Sequence, residues 1–498
     1  MNSFRVKPLD DILATAEKNS LKRQLGAFQL TMLGIGAIIG TGIFVLTAEA
    51  AQKAGPGMMI SFVIAGAVCA LAALAYAELA AMVPVSGSAY TYTYAVMGEA
   101  LAWMVGWALI LEYAVSAGAV AVGWSGYFNG LLQSIGWGLP EFLRSGPYGG
   151  GAFNLVAFAV SLLITALLVL GTTESARVNA FLVLLKVAAL TVFVVVAVPA
   201  AKTANFTPFL PTGWGSPLSG SGLGVLGAAA SIFFAYVGFD AVSTAAEETK
   251  NPNRNIPIGL IGSLVVCTVY YLLVGYGAIG ADGAQPMIVN GHALQPGSPQ
   301  MAAACEGVHN LVCSKEALSF VLKDLGFPSL GYMVALAASI ALPSVILMMI
   351  YGQTRIFFTM SRDGLLPKRL AKVHPRFHTP HMITMITGIA VAFFAALFPV
   401  GLLADVSNSG TLFAFAMVSL GVLVLRYTQP NRPRPFRIPN MLVWPICVGA
   451  VIGCVVLFLS LSEFTKYFFL GWAAAGLILY ALYGMRNSDL GRRAQENR

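Results

Sequence analysis

The chain has 498 residues, of which 57% are apolar and only 10% charged, with a net charge of +8 and a mean hydropathy of +0.77. Soluble domains carry about 25% charged residues, so the composition excludes an ordinary water-soluble globular protein. Apolar runs long enough to cross a hydrocarbon core of about 30 Å recur along nearly the whole sequence, and they favour one all-α integral membrane domain over three soluble ones.

Residues 1–26 read as a cytoplasmic arm. Arg5, Lys7, Lys18, Lys22 and Arg23 are mixed with Asp10, Asp11 and Glu17, and no small-residue cleavage site follows the next apolar stretch. Beyond it the runs predict 12 transmembrane helices, at roughly 27–50, 57–82, 90–129, 152–171, 178–200, 222–247, 256–281, 329–360, 382–400, 408–426, 439–462 and 466–484. With the N-terminus inside, the cytoplasmic segments hold 22 of the 29 Lys/Arg, counting the helix-end residues Arg355 and Arg426. The outer loops hold six: Lys53, Arg144, Lys202, Lys315, Lys323 and Lys466. That asymmetry sets both termini in the cytoplasm by the positive-inside rule. The positive charge is then matched by inner-leaflet lipids and calls for no nucleic acid.

Span 1 contains Gly34-Ile35-Gly36-Ala37-Ile38-Ile39-Gly40-Thr41-Gly42-Ile43-Phe44, with four glycines near the middle of a helix where each costs about 1 kcal/mol relative to Ala. One reading is close helix packing through the Gly36/Gly40 pair. The sharper reading is an unwound stretch lining a polar cavity, the only place irregular backbone survives at membrane depth. Span 3 carries Glu112, a contact for a cationic substrate, a proton relay, or a protonated helix–helix hydrogen bond. Span 5 carries Lys186 about eight positions from its start, roughly 12 Å deep, where an ionisable side chain faces a cavity or changes protonation unless its stem snorkels out.

Span 6 contains Phe233-Phe234-Ala235-Tyr236-Val237-Gly238-Phe239-Asp240, a second candidate break. Amides of Gly40, Thr41 and Gly42 would meet a carboxylate, and freed carbonyls of Ile38, Phe234 and Val237, with Ala235 between them, would suit an ammonium. Those are the two ends of a zwitterion. Asp240 either caps the second half-helix or meets substrate. Cys305 and Cys313 share the longest outer loop, about 283–328, and are the candidates for a disulfide if that compartment is oxidising. Met348 in span 8 either borders the substrate side chain or packs in the core. The 361–381 loop, with His374 and His378, follows the charge rule, and Glu247-Glu248 is either an inner gate or a solvated helix end. No Cys/His cluster suggests a metal, and no cofactor motif is present.

Breaks in spans 1 and 6 lie five spans apart, as expected of an inverted repeat of spans 1–5 and 6–10 with a midplane site. The glycine run, the Phe233–Asp240 run continuing to Glu248, the Pro84-Val85-Ser86-Gly87-Ser88-Ala89-Tyr90 segment and the stretch from Tyr351-Gly352-Gln353-Thr354-Arg355 to Ser361-Arg362-Asp363-Gly364-Leu365-Leu366-Pro367 resemble the amino acid/polyamine/organocation superfamily. Within it they look most like bacterial members of the cationic amino acid transporter family.

The resemblance implies a five-plus-five inverted repeat, the leucine-transporter-like fold, over 27–426, with discontinuous helices 1 and 6. Two further helices would occupy 427–484 and a cytoplasmic tail 485–498. It implies alternating access to an L-amino acid site, and a lysine standing in for a sodium ion against the unwound carbonyls of span 1; here that lysine is Lys186, with Gly36 its carbonyl partner. The expected function is therefore secondary amino acid transport in a bacterial inner membrane, proton-coupled, with neutral or broad specificity. An amino acid or polyamine exchanger is the alternative, a transporter-like nutrient sensor belongs to another class, and a small single-span partner protein is left open. No nucleophile elbow, HExxH pair or Walker loop points to an enzyme.

Overall fold

A computed structural model describes residues 5–9, 25–83, 88–171, 176–244, 249–377 and 379–496. Glu247-Glu248, His378 and most of the Pro84–Tyr90 motif lie outside these residues. A hydrocarbon core offers backbone groups no water, so the chain satisfies them within helices. Among the described residues, apart from the two-residue hairpin strands Ile288–Val289 and His292–Ala293, the regular structure is helical.

The first predicted span is three pieces: α1 Ala27–Ile38, α2 Thr41–Phe44 and α3 Leu46–Ala54. Then follow α4 Met58–Met82, α5 Ser88–Val96, α6 Glu99–Ser134, α7 Leu155–Val169 and α8 Ala176–Ala197. The sixth is again broken, into α9 Gly224–Ile232, a 3-10 turn Phe233–Tyr236 and α10 Ala241–Thr244. Beyond it lie α11 Pro252–Asp282, the loop helices α12 Pro299–Ala304 and α13 Ala317–Asp324, and α14 Pro328–Arg362. The last part comprises α15 His381–Leu397, α16 Val400–Thr428, α17 Asn440–Ser460, α18 Glu463–Leu479, and the short α19 Met485–Asn487 and α20 Asp489–Glu496. Among the described residues, eight helical stretches are long and apolar enough to cross a membrane, and four more apolar helices are shorter.

Two expectations need correction. The 90–129 span is divided, because Gly98 at φ +99° turns the chain between α5 and α6. Lys53 is not in a loop: α3 runs to Ala54 and passes through the turn Gly55–Gly57 straight into α4, leaving Lys53 4% exposed.

The long helices α14 and α16 both pack on α6, while α11 packs on α1 and α4. The buried carboxylate of Glu78 is paired. Glu78 accepts from Arg426 Nε at 2.8 Å and Nη2 at 2.6 Å and from the Ile438 amide at 2.9 Å, anchoring the chain before α17. The Trp107 and Trp472 indoles stack at 4.5 Å, and each donates to the other's backbone carbonyl, at 2.8 and 2.9 Å. Trp103 adds a bond to the Gly476 carbonyl at 2.8 Å, so α18 is fastened to α6 along successive turns.

Two faces of the bundle differ. The basic face carries the 363–380 loop, where Asp363 accepts from Lys7 Nζ and the Tyr90 hydroxyl, each at 2.9 Å, and its carbonyl receives the Asp489 amide at 3.1 Å. The disulfide face carries the 283–316 loop, in which Cys305 and Cys313 are bonded to each other.

Candidate functional site

The two interruptions meet. Ile39 and Gly40 are extended between α1 and α2, at φ/ψ −72°/96° and −143°/−152°. Because α2 starts afresh at Thr41, its first-turn amides, including those of Thr41 and Gly42, have no carbonyl one turn back. In the sixth span Val237 is extended, and Gly238 at φ +114° reverses the chain against the Ala37 carbonyl, where a Cβ would sit 2.7 Å from that oxygen. A left-handed turn with no room for a side chain demands glycine. The breaks touch at Gly42, whose added Cβ would fall 2.3 Å from the Ala235 Cα.

A hydroxyl joins them. Tyr271 Oη on α11 lies 3.0 Å from the Ile38 carbonyl and 2.7 Å from the Ala235 carbonyl, one proton between two acceptors. Each carbonyl keeps a second lone pair for a further donor, while the Phe234 carbonyl closes its own turn by accepting from the Val237 amide at 3.2 Å. Thr41 is buried and its hydroxyl reaches the Val120 carbonyl of α6 at 3.5 Å.

Lys186 on α8 is 2% exposed, and its Nζ donates to the Gly36 carbonyl at 2.9 Å, in the last turn of α1 before the break. An ammonium there fixes a positive charge on the same stretch of backbone whose amides follow at Thr41.

The remaining predicted residues are spread around this centre. Asp240 is buried just before α10 and accepts from the Tyr113 hydroxyl at 3.4 Å. Glu112, one residue earlier on α6, points toward α16: a Cβ on Gly410 would lie 3.4 Å from its own Cβ, and its Oε2 is buried with no hydrogen-bond partner among the described residues. Met348 is half-buried on α14, one turn after Val345, whose methyls lie 3.7 and 3.8 Å from a Cβ built on Gly40. Cys305 and Cys313 are on the disulfide face, apart from the breaks.

Sequence reasoning passed over Tyr271, Lys53, Ser231 and Asp405. Lys53 Nζ donates to Asp405 Oδ2 at 3.0 Å and to Ser231 Oγ, and Ser231 Oγ donates to Asp405 Oδ1. Asn408, a turn further along α16, donates to the Ala230 and Ser231 carbonyls at 2.7 and 3.1 Å, where α9 gives way to the 3-10 turn. The signals were present: a tyrosine inside an apolar span needs a partner for its hydroxyl, and the polar run Asp405–Thr411 opens a span that hydropathy begins at 408.

The model of the family described as amino acid permease matches residues 25–482. The branched-chain amino acid permease BcaP of Bacillus subtilis is 45% identical over 98% of each chain. A methylthioribose transporter of the same organism is 42% identical, over 98% of this chain and 99% of its own. The vacuolar cationic amino acid transporter 4 of Arabidopsis thaliana is 34% identical, over 86% of this chain and 68% of its own.

Proposed function

The chain belongs to the amino acid permease family, and we propose that it is a secondary active transporter that carries neutral L-amino acids across a bacterial inner membrane together with protons. Both termini are cytoplasmic in this reading, and spans 1–5 and 6–10 form an inverted repeat. The substrate carboxylate binds the amides of Gly40, Thr41 and Gly42. Its ammonium binds carbonyls around Ile38, Phe234, Ala235 and Val237, and Met348 borders its side chain. The observation that carries the proposal is the buried Lys186 ammonium on the Gly36 carbonyl, beside two touching backbone breaks. The charge on that lysine bears directly on the break it holds. Glu112 and Asp240 bring carboxyls into the same interior, Glu112 as a proton relay and Asp240 as a structural acid on Tyr113. The similarity to a branched-chain amino acid permease supports an apolar side chain on the substrate.

The test is uptake of labelled leucine, alanine and arginine into proteoliposomes, with and without an inward proton gradient, for wild type and Lys186→Ala. Leucine accumulates with the gradient in wild type, while Lys186→Ala retains binding and loses the response. Uptake that ignores the gradient and requires an amino acid on the far side would make the protein an exchanger. A second substrate has an observation behind it, the 42% identity to a methylthioribose transporter, and labelled methylthioribose belongs in the same assay.

A further inference from the structure

The half-helix α3 presents Glu49, Gln52 and Lys53 at i, i+3 and i+4, hence on one side. Each holds a different part of the disulfide face. Gln52 Nε2 donates to the Met287 and Leu294 carbonyls at 3.1 and 2.9 Å, and its oxygen accepts from the Met287 amide at 2.8 Å. Lys53 bonds Asp405 of α16 and Ser231 of α9. Glu49 abuts the first turn of α16, where a Cβ built on Gly401 would meet its Oε2 at 1.6 Å; that oxygen is buried with no hydrogen-bond partner among the described residues.

Among the described residues, the surroundings supply no second cation. α2, α9, the turns Gly55–Gly57 and Leu311–Cys313 and the near end of α4 bring no free titratable side chain toward Glu49. Asp282, ending α11, is engaged by the Leu311 amide at 2.8 Å. Two carboxyls, Glu49 and Asp405, therefore share one ammonium. Asp405 has both oxygens occupied, by Lys53 and Ser231, whereas Glu49 has the Lys53 charge nearby and the Gly401 amide against it, and its Oε2 is left without a hydrogen-bond partner among the described residues. Two buried carboxylates beside one ammonium are under-compensated, and the one with an oxygen left unpartnered is the one that takes up a proton.

We propose that Glu49 is a proton latch on the disulfide face: its protonated carboxyl seats α3 against the start of α16, and loss of that proton to the adjoining water frees α3 to swing away and uncover the substrate site. The latch rests on the alternating-access reading, with this face outside. Its proton returns to the side it came from, so it is separate from the one carried with substrate past Lys186.

The experiment reads access directly and needs no substrate. Val345→Cys, beside Gly40, is labelled in intact cells with a membrane-impermeant maleimide at about pH 6 and about pH 9, normalised to Val289→Cys on the exposed hairpin to remove the thiol's own titration. The native free cysteines are buried. Normalised labelling is expected to rise about tenfold, as a single titrating group allows. In Glu49→Gln, which keeps the shape of the protonated carboxyl, labelling is low at both pH values, whereas Glu49→Asp retains the rise. Flat labelling in the Val345→Cys parent, or an undiminished rise in Glu49→Gln, would overturn the latch. If labelling follows pH but no labelled amino acid accumulates, the transport reading fails and the latch stands.

Discussion

The two faces of the bundle are closed by the same chemistry in opposite surroundings. On the disulfide face Lys53 and Asp405 meet with side chains 5% and 7% exposed. On the basic face Lys7 and Asp363 are 28% and 11% exposed, and Lys368 and Asp489 62% and 40%. A dry pair is held by the cost of separating it, because each half would be left as an uncompensated charge. A wet pair exchanges freely with water and salt, and adds little. The Lys53–Asp405 contact is therefore stiff and the Lys7 and Lys368 contacts soft.

Breaking the dry pair has the largest expected effect. Asp405→Ala strands the Lys53 ammonium and should cost about 3–5 kcal/mol, read as a large fall in thermal unfolding temperature in detergent. Replacing both partners, as Lys53→Met with Asp405→Leu, should recover most of that stability, since no buried charge remains. A double variant as unstable as the single one would mean that the ion pair contributes more than its own compensation. Next comes Tyr271→Phe, which removes the hydroxyl shared by the two breaks; about 1–3 kcal/mol is expected, and leucine uptake should fall more than stability does. Equal uptake at equal expression would show that the breaks hold each other without it. The smallest effect belongs to the wet face. Lys7→Ala should cost no more than about 1 kcal/mol, and raising salt should shift wild type toward the variant. A salt-insensitive loss as large as that of Asp405→Ala would erase the contrast between the faces.

Sequence alone disclosed the parts whose chemistry is local. Four glycines in one span cannot be explained as ordinary helix, and Gly42 and Gly238 stand where the backbones crowd. Lys186 was visible because a charge at that depth requires an account, and its partner Gly36 came from a family resemblance. What stayed hidden depends on residues far apart in the chain. Lys53 and Asp405 are separated by 352 positions, and hydropathy ended one span before the first and began another after the second. Helix α3 carries its polar side into the protein, so a residue that reads as loop is among the most buried cations. Tyr271 was passed over because a lone tyrosine in an apolar helix looks like packing until its two carbonyls are placed around it.

The paired indoles of Trp107 and Trp472 have a practical consequence. α18 turns much of its surface outward, yet through these reciprocal bonds it is riveted to α6. A fluorophore or affinity handle placed on α20 is therefore tied through α18 to α6. In a single-molecule recording it reports the position of α6 against which displacement of a second dye on α3 is read.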